Sequence, residues 1–207
     1  MIYQLNLPHP SQQLLAQVEK FVKGTTLNPD NKRWLDEFHN DTVNTSQHVF
    51  ALAPTLNDQL RVEYSRFFTT SIHAVVGIMK NSNSTQLACQ PPHIDRGRTL
   101  AINYYIELGG NNVSTWYYNT VNDVKSDVSQ NYLYTEVDPV GQYIFEKNKW
   151  YAYEVSQCHS VENIETTRYF LSIMVSDSPE SYTLHKLTAN TTITFDKCKL
   201  IPYNKKA

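Results

Sequence analysis

The chain has little cysteine, little glycine and no long apolar run. Three cysteines in 207 residues, Cys89, Cys158 and Cys198, are too few and too scattered for a disulfide framework, so a reducing, cytoplasmic setting is expected. Its apolar stretches are far too short to cross a bilayer. The start, Met1-Ile2-Tyr3-Gln4, has neither the basic nor the apolar region of a signal peptide, so no membrane partner is expected. Charge of neither sign dominates: 18 Lys and Arg against 20 Asp and Glu leave a formal net charge of −2, with no basic run beyond Lys205-Lys206. Proteins that grip phosphate backbones concentrate positive charge, so a nucleic-acid partner is not expected either. No repeat, low-complexity stretch or Pro/Gly/Ser linker divides the chain, which reads as one domain over 1–207.

What is present tilts toward strand and turn, with fourteen Tyr and many Asn and Thr. Helical support over about 1–70 precedes a strand-rich core over about 71–200. Ser11 is placed to cap a helix whose Leu14, Leu15, Val18, Phe21 and Val22 share one face. Thr55, after Pro54, is expected to cap a second helix that turns Leu56, Leu60, Tyr64 and Phe67 inward. Trp34 and Phe38, between the helices, read as core. From about Ser71 the period changes to two. Leu100, Ile102, Tyr104, Ile106 and Leu108 form an apolar face, and Ala101, Asn103, Tyr105 and Glu107 a mixed face suited to a cavity. Gly109-Gly110-Asn111-Asn112 then makes a turn. Further strands are expected over 114–118, 141–146, 150–159 and 168–175. Short strands separated by turns suggest a sandwich or barrel, and the lack of regular helix–strand alternation argues against a doubly wound sheet.

His93-Ile94-Asp95 places an imidazole and a carboxylate on the same side of an extended chain, because side chains at i and i+2 point alike. Two nitrogens and one oxygen on one face of an octahedron suit ferrous iron and leave three positions open. A second histidine must come from elsewhere. With seven histidines a chance His-x-Asp is unsurprising, and His39-Asn40-Asp41 also fits. Only His93-Ile94-Asp95, however, leads through a short loop into the alternating strand at Leu100. Downstream, His159 is expected to end one strand, and Arg168 to open the next after a short turn. An arginine buried beside a metal can hold a carboxylate through paired charged hydrogen bonds.

With these residues in view, the sequence resembles the Fe(II)- and 2-oxoglutarate-dependent dioxygenases, and most closely their prolyl hydroxylase-like branch. That family's pattern is His-x-Asp, a distal His, and a basic residue about ten positions later, as in His93, Asp95, His159 and Arg168. Ile102-Asn103-Tyr104-Tyr105-Ile106-Glu107 and Thr167-Arg168-Tyr169 are likewise similar to family segments; the match covers about residues 90–175. The resemblance implies an α+β, mainly β fold: a double-stranded β-helix (jelly-roll, cupin-like) core with N-terminal helices packed on one sheet. It implies Fe(II) on His93, Asp95 and His159, with 2-oxoglutarate as cosubstrate and Arg168 on its far carboxylate. It also implies that the Tyr105 hydroxyl assists that arginine. O2 would be consumed, CO2 and succinate released, and a C–H bond hydroxylated; ascorbate is admitted as an auxiliary reductant. Asp95 argues against halogenation, for which the family has a small residue there.

Two other readings stay open. Nucleobase demethylases of the same fold carry a second arginine six residues after the first, where this chain has Met174. A non-catalytic β-barrel that merely retains a metal is the other. The substrate is read as a protein or peptide residue, prolyl or other, or a small molecule, and the oligomeric state is not read at all. Arg96 and Arg98 could receive an acidic or peptide substrate or be solvated loop charges. Trp116, Tyr117 and Tyr118 read as sheet packing rather than the mouth of a site. Ser172 shares the face of Arg168, but some family members place a serine two residues after the arginine, where Phe170 stands.

Overall fold

A computed structural model describes residues 1–27, 44, 46–83, 85–95, 98–120, 125–126, 132–133, 137–175 and 193–204. Trp34, Phe38, His39, Asp41 and Arg96 lie outside the described residues. Ser11 caps α1 (Gln12–Gly24) as its pattern predicts, its hydroxyl accepting from the Leu14 amide at 3.2 Å. The same hydroxyl donates to Glu63 on α2 (Asn57–Tyr64), so the cap also ties the two helices together. Thr55 does not cap α2. Pro54–Leu56 forms a 3-10 turn with no side-chain cap, and the nearby Asn57 carboxamide is drawn off to accept from the Ala74 amide at 2.7 Å.

Fourteen described strands form two antiparallel sheets of seven. The first holds β1 (Ile2–Leu5), β2 (Gln47–Leu52), β3 (Ile72–Lys80), β5 (Leu100–Leu108), β10 (Trp150–Glu154), β12 (Thr167–Val175) and β13 (Phe195–Lys197). The second holds β4 (Ala88–Ile94), β6 (Ser114–Thr120), β7 (Lys125–Ser126), β8 (Tyr132–Leu133), β9 (Val137–Tyr143), β11 (His159–Ile164) and β14 (Ile201–Pro202). At their centres the order β10-β5-β12-β3 belongs to one sheet and β9-β6-β11-β4 to the other. From β3 to β12 the chain passes from sheet to sheet with each strand, save that β6 to β9 all stay in the second. This is the double-stranded β-helix, on an α+β, mainly β chain.

Leu14, Val18, Leu60 and Tyr64 pack on Ile102, Tyr104, Leu171 and Ile173, so the N-terminal helices cover the outer face of the first sheet. Burying each such side chain stabilises by about 1.5–3 kcal/mol. Tyr105, Tyr117, Phe145 and Phe170 fill the space between the sheets. The alternation read in β5 holds as far as Ile106. There the pairing with β12 slips, Phe170 opposing Tyr105 and Tyr169 opposing Glu107. A one-residue bulge reverses which side chains face inward, and Leu108 accordingly joins the inner cluster.

Candidate metal centre and its pocket

β4 reads Ala-Cys-Gln-Pro-Pro-His-Ile. Proline has no N–H for a ladder, and the pairing with β11 skips here: Gln90 opposes Val161, while His93 opposes His159. The bulge frees the Pro91 carbonyl, which accepts from His93 Nδ1 at 2.7 Å. His159 opens β11 rather than ending β10, because the chain bends over 155–157 as it crosses between sheets. Its Nδ1 donates to the Gln157 carbonyl at 2.9 Å. Each histidine thus spends its Nδ1 proton on a carbonyl two residues upstream and keeps the Nε2 lone pair for another partner. The Asp95 amide donates to the Val155 carbonyl, anchoring the residue just past the end of β4.

The structure brings the three side chains together. One ligand atom from each of His93, Asp95 and His159 lies within 4.8 Å of the others, a group that could hold a metal ion. The imidazole centroids are 4.4 Å apart, and His93 Nε2 is 3.4 Å from Asp95 Oδ1. Asp95 Oδ2 accepts from Arg98 Nε at 2.9 Å and Nη2 at 2.7 Å. Burial would raise the Asp95 carboxyl, but Arg98 first and the neighbouring His93 outweigh it and hold the group well below the usual carboxylate range. Burial lowers His159 to about 4, with His93 reinforcing the shift. Both findings favour the forms that bind a cation: a charged carboxylate and a neutral imidazole.

These groups line a pocket with about 330 Å³ of empty space, part of it open to solvent. Arg168, only 1% exposed, also lines it, and its Nε and Nη1 have no hydrogen-bond partner. The guanidinium sits 4.7 Å from the centroid of the Tyr105 ring. The Tyr105 hydroxyl meets the Tyr153 hydroxyl at 3.0 Å, so the ring face and not the hydroxyl meets the arginine. Phe170 lines the pocket, whereas Ser172 is buried outside its lining. Trp116 packs on Tyr203, Tyr117 stands beside its cross-strand partner His159, and Tyr118 bonds Ser160 across the sheet, so all three pack within it. Arg98 is neither a solvated loop charge nor remote from the site. Phe50, another lining residue, lies in a strand that the sequence pattern does not announce; the short apolar run Val49-Phe50-Ala51-Leu52 is the available signal.

No protein-family profile matches the chain, and no curated protein does. Among solved structures it is similar to the epimerase SnoN in complex with Fe3+, alpha-ketoglutarate and nogalamycin RO, at 12% identity and a TM-score of 0.47, covering 83% of this chain and 77% of that one. It is also similar to an oxalate oxidase with the substrate analogue glycolate, at 12% identity and a TM-score of 0.35 over 67% of this chain and 55% of that one. An uncharacterized double-stranded β-helix protein from Klebsiella pneumoniae aligns at 11% identity and a TM-score of 0.28, over 79% of this chain and 95% of that one. With alignments this loose, residue roles rest on the geometry of this chain alone. No helix among the described residues is long and apolar enough to cross a membrane.

Proposed function

We propose that the chain is an Fe(II)- and 2-oxoglutarate-dependent oxygenase that hydroxylates a C–H bond, of the prolyl hydroxylase-like kind its sequence resembles. The observation that carries this reading is one pocket lined both by a His-Asp-His group and by a buried arginine with unbonded nitrogens. A buried guanidinium without an anion is costly, so the orphaned Nε and Nη1 of Arg168 call for a carboxylate, and the donor set beside it suits ferrous iron.

In this reading His93 and His159 offer Nε2 to the metal and Asp95 offers Oδ1. The two backbone carbonyls fix the imidazole tautomers, and Arg98 fixes the second oxygen of Asp95. Arg168 holds the far carboxylate of the cosubstrate, with the Tyr105 ring beneath it. Iron and 2-oxoglutarate, when bound, supply O2 activation coupled to succinate and CO2 release. Phe50, Tyr105 and Phe170 shield the pocket from water. The primary substrate is a protein or peptide residue or a small molecule.

The test is conversion of 2-oxoglutarate to succinate with and without Fe(II). Iron-dependent turnover that is lost in His159→Ala supports the reading, and Arg168→Ala should raise the 2-oxoglutarate requirement while leaving iron binding intact. Normal turnover by His159→Ala sinks the metal site. Metal binding with no turnover of 2-oxoglutarate would favour a non-catalytic module instead.

A further inference from the structure

The described lining residues of the pocket carry more positive charge than a metal and a dicarboxylate consume. Among its described lining residues Asp95 is the only acid, against the two guanidiniums Arg98 and Arg168. Glu154, the acid nearest in sequence to lining Val155, lies outside the lining and is committed to the N-terminal amine at 3.3 Å. A divalent ion and a doubly charged cosubstrate cancel each other, and Asp95 balances one arginine. Among the described lining residues one positive charge is then left, and its buried part favours an anion joining it.

The surplus can be located. Arg168 is only 1% exposed, whereas the Arg98 side chain is 19% exposed and stands 5.2 Å from the centroid of Phe50. Phe50 and Leu52, which share one side of β2, are themselves 38% and 59% exposed. Arg98 applies Nε and Nη2 to a single oxygen of Asp95, which leaves Nη1 outside that contact. A cationic group over a partly exposed aromatic ring therefore stands beside the metal group and closer to solvent than Arg168.

Resting on the oxygenase reading, we propose that Arg98 receives the carboxylate of the primary substrate, a small apolar organic acid. The acid's charged end completes the balance of the pocket, and its apolar body lies along Phe50 and Leu52. Arg98 then serves two anions, holding Asp95 on one edge and substrate near its outer nitrogen. Charge-assisted hydrogen bonds of this kind are worth enough to discriminate an acid from its amide by about tenfold or more.

The test uses the Co(II)-loaded full chain saturated with 2-oxoglutarate, read by calorimetry and by the visible absorption of cobalt. Hexanoate and hexanamide are the probes. Hexanoate should bind at least about tenfold tighter than hexanamide; Arg98→Gln should abolish that ratio and Arg98→Lys should keep part of it. Equal binding of the two probes to the wild-type protein overturns the proposal while leaving the oxygenase reading intact. So does an Arg98→Gln variant that weakens 2-oxoglutarate but preserves the acid-to-amide ratio, since Arg98 would then serve the cosubstrate. Failure of the wild-type chain to bind Co(II) at all would remove the oxygenase reading and this proposal together.

Discussion

Gly77 stands in β3 between Phe50 of β2 and Phe170 of β12, its register partners on either side. A Cβ built there would lie 2.3, 2.5 and 2.9 Å from Cζ, Cε2 and Cε1 of Phe170. Ordinary carbon contacts are about 3.5–4.0 Å, so the ring must retreat by roughly 1 Å or more. Its free side is the pocket, because Tyr105 and Phe50 already flank it at centroid distances of 5.3 and 5.6 Å. Overpacking of this kind costs about 1–3 kcal/mol, and replacing glycine within a strand returns about 0.5–1 kcal/mol. Gly77→Ala should therefore destabilise by about 1 kcal/mol, at most about 2.5 kcal/mol, and lower Tm by about 2–4 °C per kcal/mol lost. It should also raise the 2-oxoglutarate requirement, since the displaced ring crowds Arg168. Thermal and urea unfolding of the Gly77→Ala, Phe170→Leu pair gives the coupling. With the ring gone, Gly77→Ala should become neutral or stabilising. The same Tm loss in both backgrounds, or none in the wild-type background, would refute the packing argument.

Tyr105→Phe removes a hydroxyl bonded to Tyr153 but leaves the ring beneath Arg168, so half-saturation by 2-oxoglutarate should stay within about twofold; Tyr105→Leu, which removes the ring, should raise it about fivefold or more. A large effect of Tyr105→Phe would return the role to the hydroxyl. Burial raises the Glu162 carboxyl, against an opposing hydrogen bond from Ser160. A carboxyl raised on folding favours the protonated folded state, so its ionisation costs stability as pH climbs through and beyond its ordinary pKa. Glu162→Gln should thus raise Tm at pH 7 and lose that advantage below about pH 4, as followed by calorimetry across pH.

Much of the architecture is legible in the chain because its strong signals are local. The Ser11 cap, the helix face of Leu14 and Val18, and the alternation in β5 each follow from period and chemistry within about a dozen residues. The metal group is legible for a different reason: His-x-Asp on an extended segment already sets two side chains on one side. The strands β1 and β2 are not legible. β1 is four residues long, and neither strand shows a full alternation, their burial coming from neighbours far along the chain. Phe50 was hidden with β2. The bulge at Ile106 and the bend before His159 depend on pairings between strands, which no single segment records. Tyr105 was placed on the correct face, yet its hydroxyl answers to Tyr153, forty-eight residues away. Arg98 could be read as a loop charge because only the fold turns it back onto Asp95.

The central claim is that His93, Asp95 and His159 form one metal centre. Anaerobic Fe(II) titration of the wild-type chain beside His93→Ala, Asp95→Ala and His159→Ala tests it most directly. One ion per wild-type chain is expected, with affinity reduced at least about a hundredfold in each variant. Undiminished binding by His159→Ala, with the fold intact by circular dichroism, would contradict it.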